Sequence, residues 1–130
     1  MKKNITAFKR LKDSKNVSYY WDIDTALNRI KEGSSKKLVD SIRKETDKEK
    51  RNYLKSKSIC VLFSGNFTTR SDKDLKQHSG FVILDFDDVD NLEEFKDELK
   101  NDNYIYSCWI SPSGNGIKAL VKIPQCDKDE

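Results

Sequence analysis

Three aspartates stand at the end of one short apolar segment. The segment GFVILDFDDV, residues 80–89, places Asp85 and Asp87 two positions apart and Asp88 directly after them. On a β-strand alternate side chains share a face, so Asp85 and Asp87 are expected to project together from Cα atoms roughly 6–7 Å apart. Two carboxylates at that separation suit Mg²⁺ or Mn²⁺. The pattern predicts a cation site at a strand end; the alternative is that the aspartates only end the strand and lead into the next helix.

A second group of residues follows about 25 positions later, in SPSGNGIKALVKIP, residues 111–124. It contains Ser111, Ser113, Gly114, Gly116 and Lys118. Glycines let backbone N–H groups approach phosphate oxygens, and a lysine meets a phosphate as a point charge. The spacing does not match a Walker A loop, and a plain hairpin with a solvent-facing lysine is the alternative. The two motifs also occur in a fixed order: a strand that ends in aspartates, one helix, and then a strand that ends in this turn. This order is more restrictive than either motif alone.

The elements that position these residues lie between residues 58 and 124. SICVLFSG, residues 58–65, is a short apolar run that predicts a buried strand over 59–63. NLEEFKDELKNDN, residues 91–103, repeats apolar side chains every three or four positions and predicts an amphipathic helix. YIYSCWIS and IKALVKIP, residues 104–111 and 117–124, predict strands, and Asn115-Gly116 between them indicates a two-residue hairpin turn.

Upstream, the sequence favours helices. DIDTALNRIKEG, SSKKLVDSIRKE and the basic segment TDKEKRNYLKSK each predict one, and SDKDLKQHSG, residues 71–80, predicts a short helix or turn. The strand, helix, strand, hairpin and strand of residues 80–124 make up most of a split βαβ unit. We therefore expect one α+β domain over residues 1–130, with a ferredoxin-like or RRM-like split βαβ sheet and N-terminal helices packed around it.

Charge is distributed unevenly along the chain. Residues 1–77 carry 20 Lys and Arg against 10 Asp and Glu, whereas residues 78–130 carry 5 against 12. A basic part beside an acidic part fits a protein that holds a polyanion next to a carboxylate cation site, although two ordinary solvated faces would give the same asymmetry. The three cysteines form no CxxC pair, which favours free thiols in a reducing cytoplasm, and no apolar segment is long enough to span a membrane.

Together these segments resemble the primase-polymerase domain of the archaeo-eukaryotic primase superfamily. The branch they resemble is that of phage and mobile-element replication proteins, with a VirE N-terminal-like domain. IKEGSSKKLVDSIRKETDKEKRNYLKSK is similar to the leading helices of that branch. ICVLFSGNFTTRSDKDLKQHSG is similar to its passage from a strand through an SGxF loop to the glycine before the metal strand. The similarity covers roughly residues 17–124.

The resemblance implies a metal-dependent nucleotidyltransferase that uses Mg²⁺ or Mn²⁺. Asp85 and Asp87 would be the catalytic metal ligands. The residues at the phosphate-binding positions of the nucleotide would be Ser111, Ser113, Gly114, Gly116 and Lys118, with Arg70 as a phosphate or template contact. The implied partners are nucleoside triphosphates, a single-stranded DNA or RNA template and a downstream helicase domain or protein. The reaction would be attack of a 3′-hydroxyl on an α-phosphate, which needs no side-chain nucleophile.

Two features depart from the family pattern. Many members carry a histidine in the second motif, whereas the sole histidine here, His78, precedes the metal strand and is expected in a loop. The third motif of the family, a later strand ending in aspartate, has no counterpart in QCDKDE after Pro124. This chain is therefore expected to be either an N-terminal fragment of a longer replication protein, which the polar end favours, or a reduced relative that has lost full activity. In both cases it should bind nucleotide and single-stranded nucleic acid but make little primer alone.

Two other classes of function also fit parts of the sequence. A haloacid-dehalogenase-type phosphatase also opens with an apolar strand into DxD, but it usually continues with Gly-Thr or Gly-Val, where this chain has Asp88-Val89. A non-catalytic nucleic-acid-binding module would use the basic helices and keep the acidic strand as structure. Loss of metal binding on changing Asp85 and Asp87 would separate the primase interpretation from the second class.

Overall fold

The structure, a computed structural model of the chain, describes residues 3–124. Its elements, in order, are β1 (Ile5–Phe8), β2 (Tyr19–Trp21), α1 (Ile23–Lys31), α2 (Lys36–Lys44), α3 (Lys48–Ser56), β3 (Cys60–Leu62), β4 (Gly65–Phe67), a 3₁₀ turn (Asp72–Asp74), β5 (Leu75–His78), β6 (Phe81–Phe86), α4 (Leu92–Lys100), β7 (Ile105–Ile110) and β8 (Ile117–Lys122). None of the helices within this range has the length and hydrophobicity that crossing a bilayer requires. Cys126 and the final QCDKDE segment lie outside the described residues.

The C-terminal half forms the predicted split βαβ unit. Its sheet has the order β6-β8-β7, and β8 pairs antiparallel with both neighbours. The outer strands β6 and β7 therefore run parallel to each other, and α4 makes the crossover between them. The fold is α+β, as expected, with the ferredoxin-like split sheet built from residues that are close in sequence.

Helix α4 covers one face of this sheet. Leu99 is buried against Ile117 and Ala119 of the central strand, and the ring of Phe95 meets that of Phe86 edge-on, with centroids 5.0 Å apart. The 3–4 spacing of the apolar residues of α4 turns them all to the sheet. Because Phe86 points into this layer, its neighbour Asp85 projects from the opposite face.

The opposite face of the sheet packs on the N-terminal half of the chain. Phe81 of β6 and Leu120 of β8 form one core cluster with Ile5, Ala26 and Phe63. Sheet β2-β1-β3 supplies Ile5, and α1 supplies Ala26. The centre of the split sheet is thus covered on both faces, whereas the edge strand β6 stays accessible at Ile83, Leu84 and Asp85.

All three N-terminal helices are confirmed. Helix α1 begins after Asp22, the N-cap residue, whose side chain accepts a hydrogen bond of 2.7 Å from the backbone N–H of Thr25. Four short strands in this half were not expected: β1, β2, β4 and β5. Thr6 joins two of them, since its buried hydroxyl donates to the carbonyl of Gly65 at 2.8 Å and accepts from the N–H of Phe67 at 2.9 Å.

Two local expectations were wrong. The segment SDKDLKQHSG begins with the predicted short helix, a 3₁₀ turn over Asp72–Asp74, but continues as strand β5, so His78 lies in a strand and not in a loop, and it pairs with Gly65 of β4. The hairpin between β7 and β8 is longer than two residues, because the last paired residues are Ile110 and Ile117. The positive φ of that turn, +85°, falls at Gly114 rather than at Asn115.

Candidate functional site

The two motifs predicted from sequence meet at one end of the split sheet. Asp85 of β6 lies directly opposite Lys118 of β8, and the Lys118 Nζ donates to the Asp85 Oδ2 at 3.1 Å. On the other side, Lys118 lies opposite Trp109 of β7. The side chain of Asp85 is 50% exposed and that of Lys118 is 31% exposed, so solvent or a ligand reaches both charges.

The Ser-Gly turn, residues 111–116, packs directly on the end of β6. The backbone of Gly116 comes so close that an added Cβ would lie 2.5 Å from the carbonyl oxygen of Phe86 and 3.5 Å from the Cα of Asp87. Any side chain at position 116 would push the two segments apart, so glycine is needed there for close approach. Asp87, which is exposed, thus lies beside the turn that the sequence predicted to bind phosphate.

A chain of side-chain hydrogen bonds runs along the turn to the aspartate segment. The hydroxyls of Ser111 and Ser113 lie 3.0 Å apart, and Ser113 donates to Asn115 Oδ1 at 2.6 Å. Asn115 Nδ2 then donates to Asp88 Oδ1 at 3.1 Å, and the Val89 N–H donates to the carbonyl of Asn115 at 2.9 Å. Asp88 has a φ of +51°, which turns the chain sharply after the strand. The two motifs are therefore tied together by side chains and by backbone.

Arg43, which the sequence did not single out, also reaches this turn. Its Nη2 donates to the carbonyl of Ser111 at 3.0 Å, and its alkyl chain lies 3.4 Å from where a Cβ would stand on Gly114. Helix α2 brings it there, since the preceding residue, Ile42, is fully buried. The sequence predicts a helix in SSKKLVDSIRKE, but it does not predict how that helix is oriented relative to the turn. Arg43 thus brings a cation to this turn, and Lys118 follows the turn on β8.

Arg70 lies in a different part of the molecule. Its guanidinium donates to the carbonyl of Leu11, its backbone N–H donates to the carbonyl of Ser14 at 2.8 Å, and Nη1 lies 3.9 Å from the Sγ of Cys60. These contacts brace the loop between β1 and β2. The structure does not place Arg70 with the residues of the Ser-Gly turn.

Asp85 and Asp87 are the candidate ligands for a hard divalent cation, with Asp85 in β6 and Asp87 directly after its last residue, Phe86. Within residues 3–124 there is no group of three or more His, Cys, Asp or Glu side chains placed to hold a metal ion. Mg²⁺, however, is usually held by one or two carboxylates, with water and substrate phosphates completing its octahedron. Asp85 and Asp87 supply two oxygen ligands of the right kind at an exposed strand end. The ion pair with Lys118 occupies one Asp85 oxygen and would have to rearrange for a divalent cation to use that oxygen.

The comparison with protein families covers this part of the chain. The model of the BT4734-like, N-terminal domain family matches residues 53–130, which is more than half of the sequence and includes both motifs. The chain belongs to this family. In this BT4734-like domain the matched region begins within α3 and contains β3 to β8 with α4. No curated protein and no solved structure matches the chain.

Proposed function

We propose that this BT4734-like domain binds a metal–nucleoside triphosphate and serves nucleotidyl transfer of the primase-polymerase type in a replication protein of a phage or mobile element. The observation that carries the proposal is the contact between the exposed aspartate strand end and the Ser-Gly turn, closed by the 3.1 Å pair of Lys118 and Asp85. Carboxylates for a cation and cations for phosphates are what a triphosphate complex requires.

Each residue has a distinct role in this proposal. Asp85 and Asp87 hold Mg²⁺ or Mn²⁺, which would stabilise charge on the attacking and leaving oxygens of phosphoryl transfer. Lys118 exchanges its partner, from the Asp85 carboxylate in the free protein to a phosphate oxygen in the complex. The backbone around Ser113 and Gly114 approaches the phosphates, and Arg43 holds this turn from the side of α2.

The rest of the proposed reaction follows from the basic N-terminal part. An excess of Lys and Arg over residues 1–77 suits a single-stranded DNA or RNA template, since cations release counterions from a phosphate backbone. We place the protein in the cytoplasm with a helicase domain or protein as its partner. Cys60 and Cys108 are both free thiols, in keeping with a reducing compartment.

Titration calorimetry with a Mn²⁺–nucleoside triphosphate tests the proposal on the 130-residue chain. The parent should bind weakly and only with metal, and Asp85→Asn/Asp87→Asn should lose that binding. Glu94→Gln/Glu98→Gln is the matched control, because it also removes two negative charges, here from the exposed face of α4. Equal heats for the parent and the aspartate variant would refute the proposal, as would equal losses in both variants.

One observation favours a second candidate, the non-catalytic nucleic-acid-binding module. The ion pair with Lys118 already neutralises Asp85 without any metal ion, as it would in a purely structural strand end. In that case the parent should bind single-stranded nucleic acid, but no metal-dependent heat should appear with nucleotide. The same titration therefore separates the two functions.

A further inference from the structure

An aromatic row leads out of the core along the edge strand β2. Tyr19 and Trp21 lie on the same face of the strand, and their rings stack with centroids 5.4 Å apart and planes 14° apart. The guanidinium of Arg29, from α1, lies over the ring of Trp21 at 5.0 Å. Trp21 packs on the core cluster that contains Ile5, whereas Tyr19 is 43% exposed. The row is thus anchored at one end and open at the other.

The open end of the row adjoins a basic loop, residues 9–18, which connects β1 to β2. Lys9, Lys12 and Lys15 line an open cleft of about 440 Å³ in this loop, together with Asp13. The cleft ends at Ser18, directly before Tyr19. The three lysines thus share one cleft, and the exposed ring of Tyr19 follows directly after its last lining residue.

The basic loop is held in place by the chain around it. The Lys9 N–H donates to the Ser18 Oγ at 2.9 Å and closes the base of the loop. Arg70 braces its middle through the carbonyls of Leu11 and Ser14. A loop fixed in this way loses less conformational freedom when it binds a ligand.

We propose that this surface, the aromatic row with the basic loop, binds single-stranded nucleic acid, with a base stacked on Tyr19 and the backbone phosphates on Lys9, Lys12 and Lys15. A sequence-tolerant strand site combines a positive groove with aromatic rings that bases stack on, and this surface has both. The inference rests on the proposed function, because it names where the template of that reaction lies. It also gives Arg70 a role, as the residue that positions the loop.

Fluorescence anisotropy of a labelled oligothymidylate with the 130-residue chain tests the stacking step. Tyr19→Leu keeps an apolar side chain but removes the flat ring, and should weaken binding about tenfold. Tyr19→Phe keeps the ring and should bind like the parent, which separates stacking from loss of fold. Tyr53→Leu is the matched control: Tyr53 is 63% exposed on α3, with the Nζ of Lys57 over its ring at 4.5 Å, and its loss should leave affinity unchanged.

The salt dependence of the same binding tests the phosphate contacts. Changing Lys9, Lys12 and Lys15 to Gln should reduce the slope of log affinity against log salt by about 2, at roughly 0.7 per phosphate contact on a single strand. A matched triple change of three lysines on α3, at positions 48, 50 and 55, should leave the slope as in the parent. Equal reductions would show that the basic charge acts diffusely and would overturn the site.

Several results would contradict the inference: parent-like binding by Tyr19→Leu, equal losses in Tyr19→Leu and Tyr53→Leu, equal competition by duplex DNA, or no binding by the parent. Failure of the proposed function would show in the nucleotide titration and not in the strand-binding assay. Tyr19→Leu should still bind the Mn²⁺–nucleotide complex as the parent does. Strand binding that depends on Tyr19, without any metal-dependent nucleotide binding by the parent, would sustain this surface and refute only the nucleotide site.

Discussion

Gly116→Ala should both destabilise the fold and separate the two motifs of the site. The added Cβ would stand 2.5 Å from the carbonyl oxygen of Phe86, so the turn must retreat by about 0.9 Å to reach an ordinary contact of 3.4 Å. Forcing a methyl group into a packed backbone contact costs about 1–3 kcal/mol. The retreat also moves the Ser-Gly turn away from Asp87, and we expect affinity for the Mn²⁺–nucleotide complex to fall at least about tenfold, or about 1.4 kcal/mol.

Urea unfolding measures the first effect and titration calorimetry the second. Gly33→Ala is the control: its φ of +72° makes alanine strained, at a cost of about 1–2 kcal/mol, but its nearest neighbours belong to Lys36, away from the turn. This variant should lose stability and keep nucleotide binding. A Gly116→Ala protein with parental stability would show that the contact with Phe86 is not tight. One that is less stable but binds nucleotide normally would refute the role of the turn.

Three further outcomes follow from contacts described above. Thr6→Val should lower the free energy of unfolding by about 1–3 kcal/mol, seen as a lower urea midpoint, because it leaves a buried backbone N–H of β4 without its acceptor. The N–H of Thr25 donates to Asp22 and holds the pKa of that carboxyl below its ordinary 3.8. The contribution of this hydrogen bond to stability is therefore present above pH 3.8 and is lost as the pH falls through the lowered pKa. The urea midpoints of Asp22→Ala and the parent should therefore differ at neutral pH and converge in acid. Arg43→Met should weaken nucleotide binding and leave the urea midpoint close to that of the parent, because it removes the hydrogen bond to the Ser111 carbonyl but keeps the alkyl packing. A parental affinity for nucleotide would show that the turn does not need Arg43.

The split βαβ unit was predictable because its signals are local. Six-residue strands and a nine-residue amphipathic helix are long enough to show their periods, and the helix between them fixes the connection. Strands β1, β2, β4 and β5 have only three or four residues each. Runs this short do not show the alternation of a strand, and the pairing of β1 with β3, as between Thr6 and Leu62, joins distant parts of the chain that no short window of sequence covers.

The site was predictable in its parts but not in how they are joined. The pairing of Asp85 with Lys118 follows from the register of β6 on β8, which the alternation of both strands suggested but did not fix. Asn115 was assigned to a tight turn from its neighbour Gly116, yet its side chain bonds to Asp88, a tertiary contact that overrides the local turn preference. Arg43 was missed because its role depends on where α2 lies in space.

The most direct test of the nucleotide site is the location of the bound metal. In amide NMR spectra of the 130-residue chain with a nucleoside triphosphate, replacing Mg²⁺ by a trace of Mn²⁺ broadens signals close to the ion. The proposed function predicts broadening that is strongest at residues 85–88 and 111–118 and decreases with distance from them, and its absence in Asp85→Asn/Asp87→Asn. Broadening centred elsewhere, for example on α4, or the same broadening in the variant would contradict it.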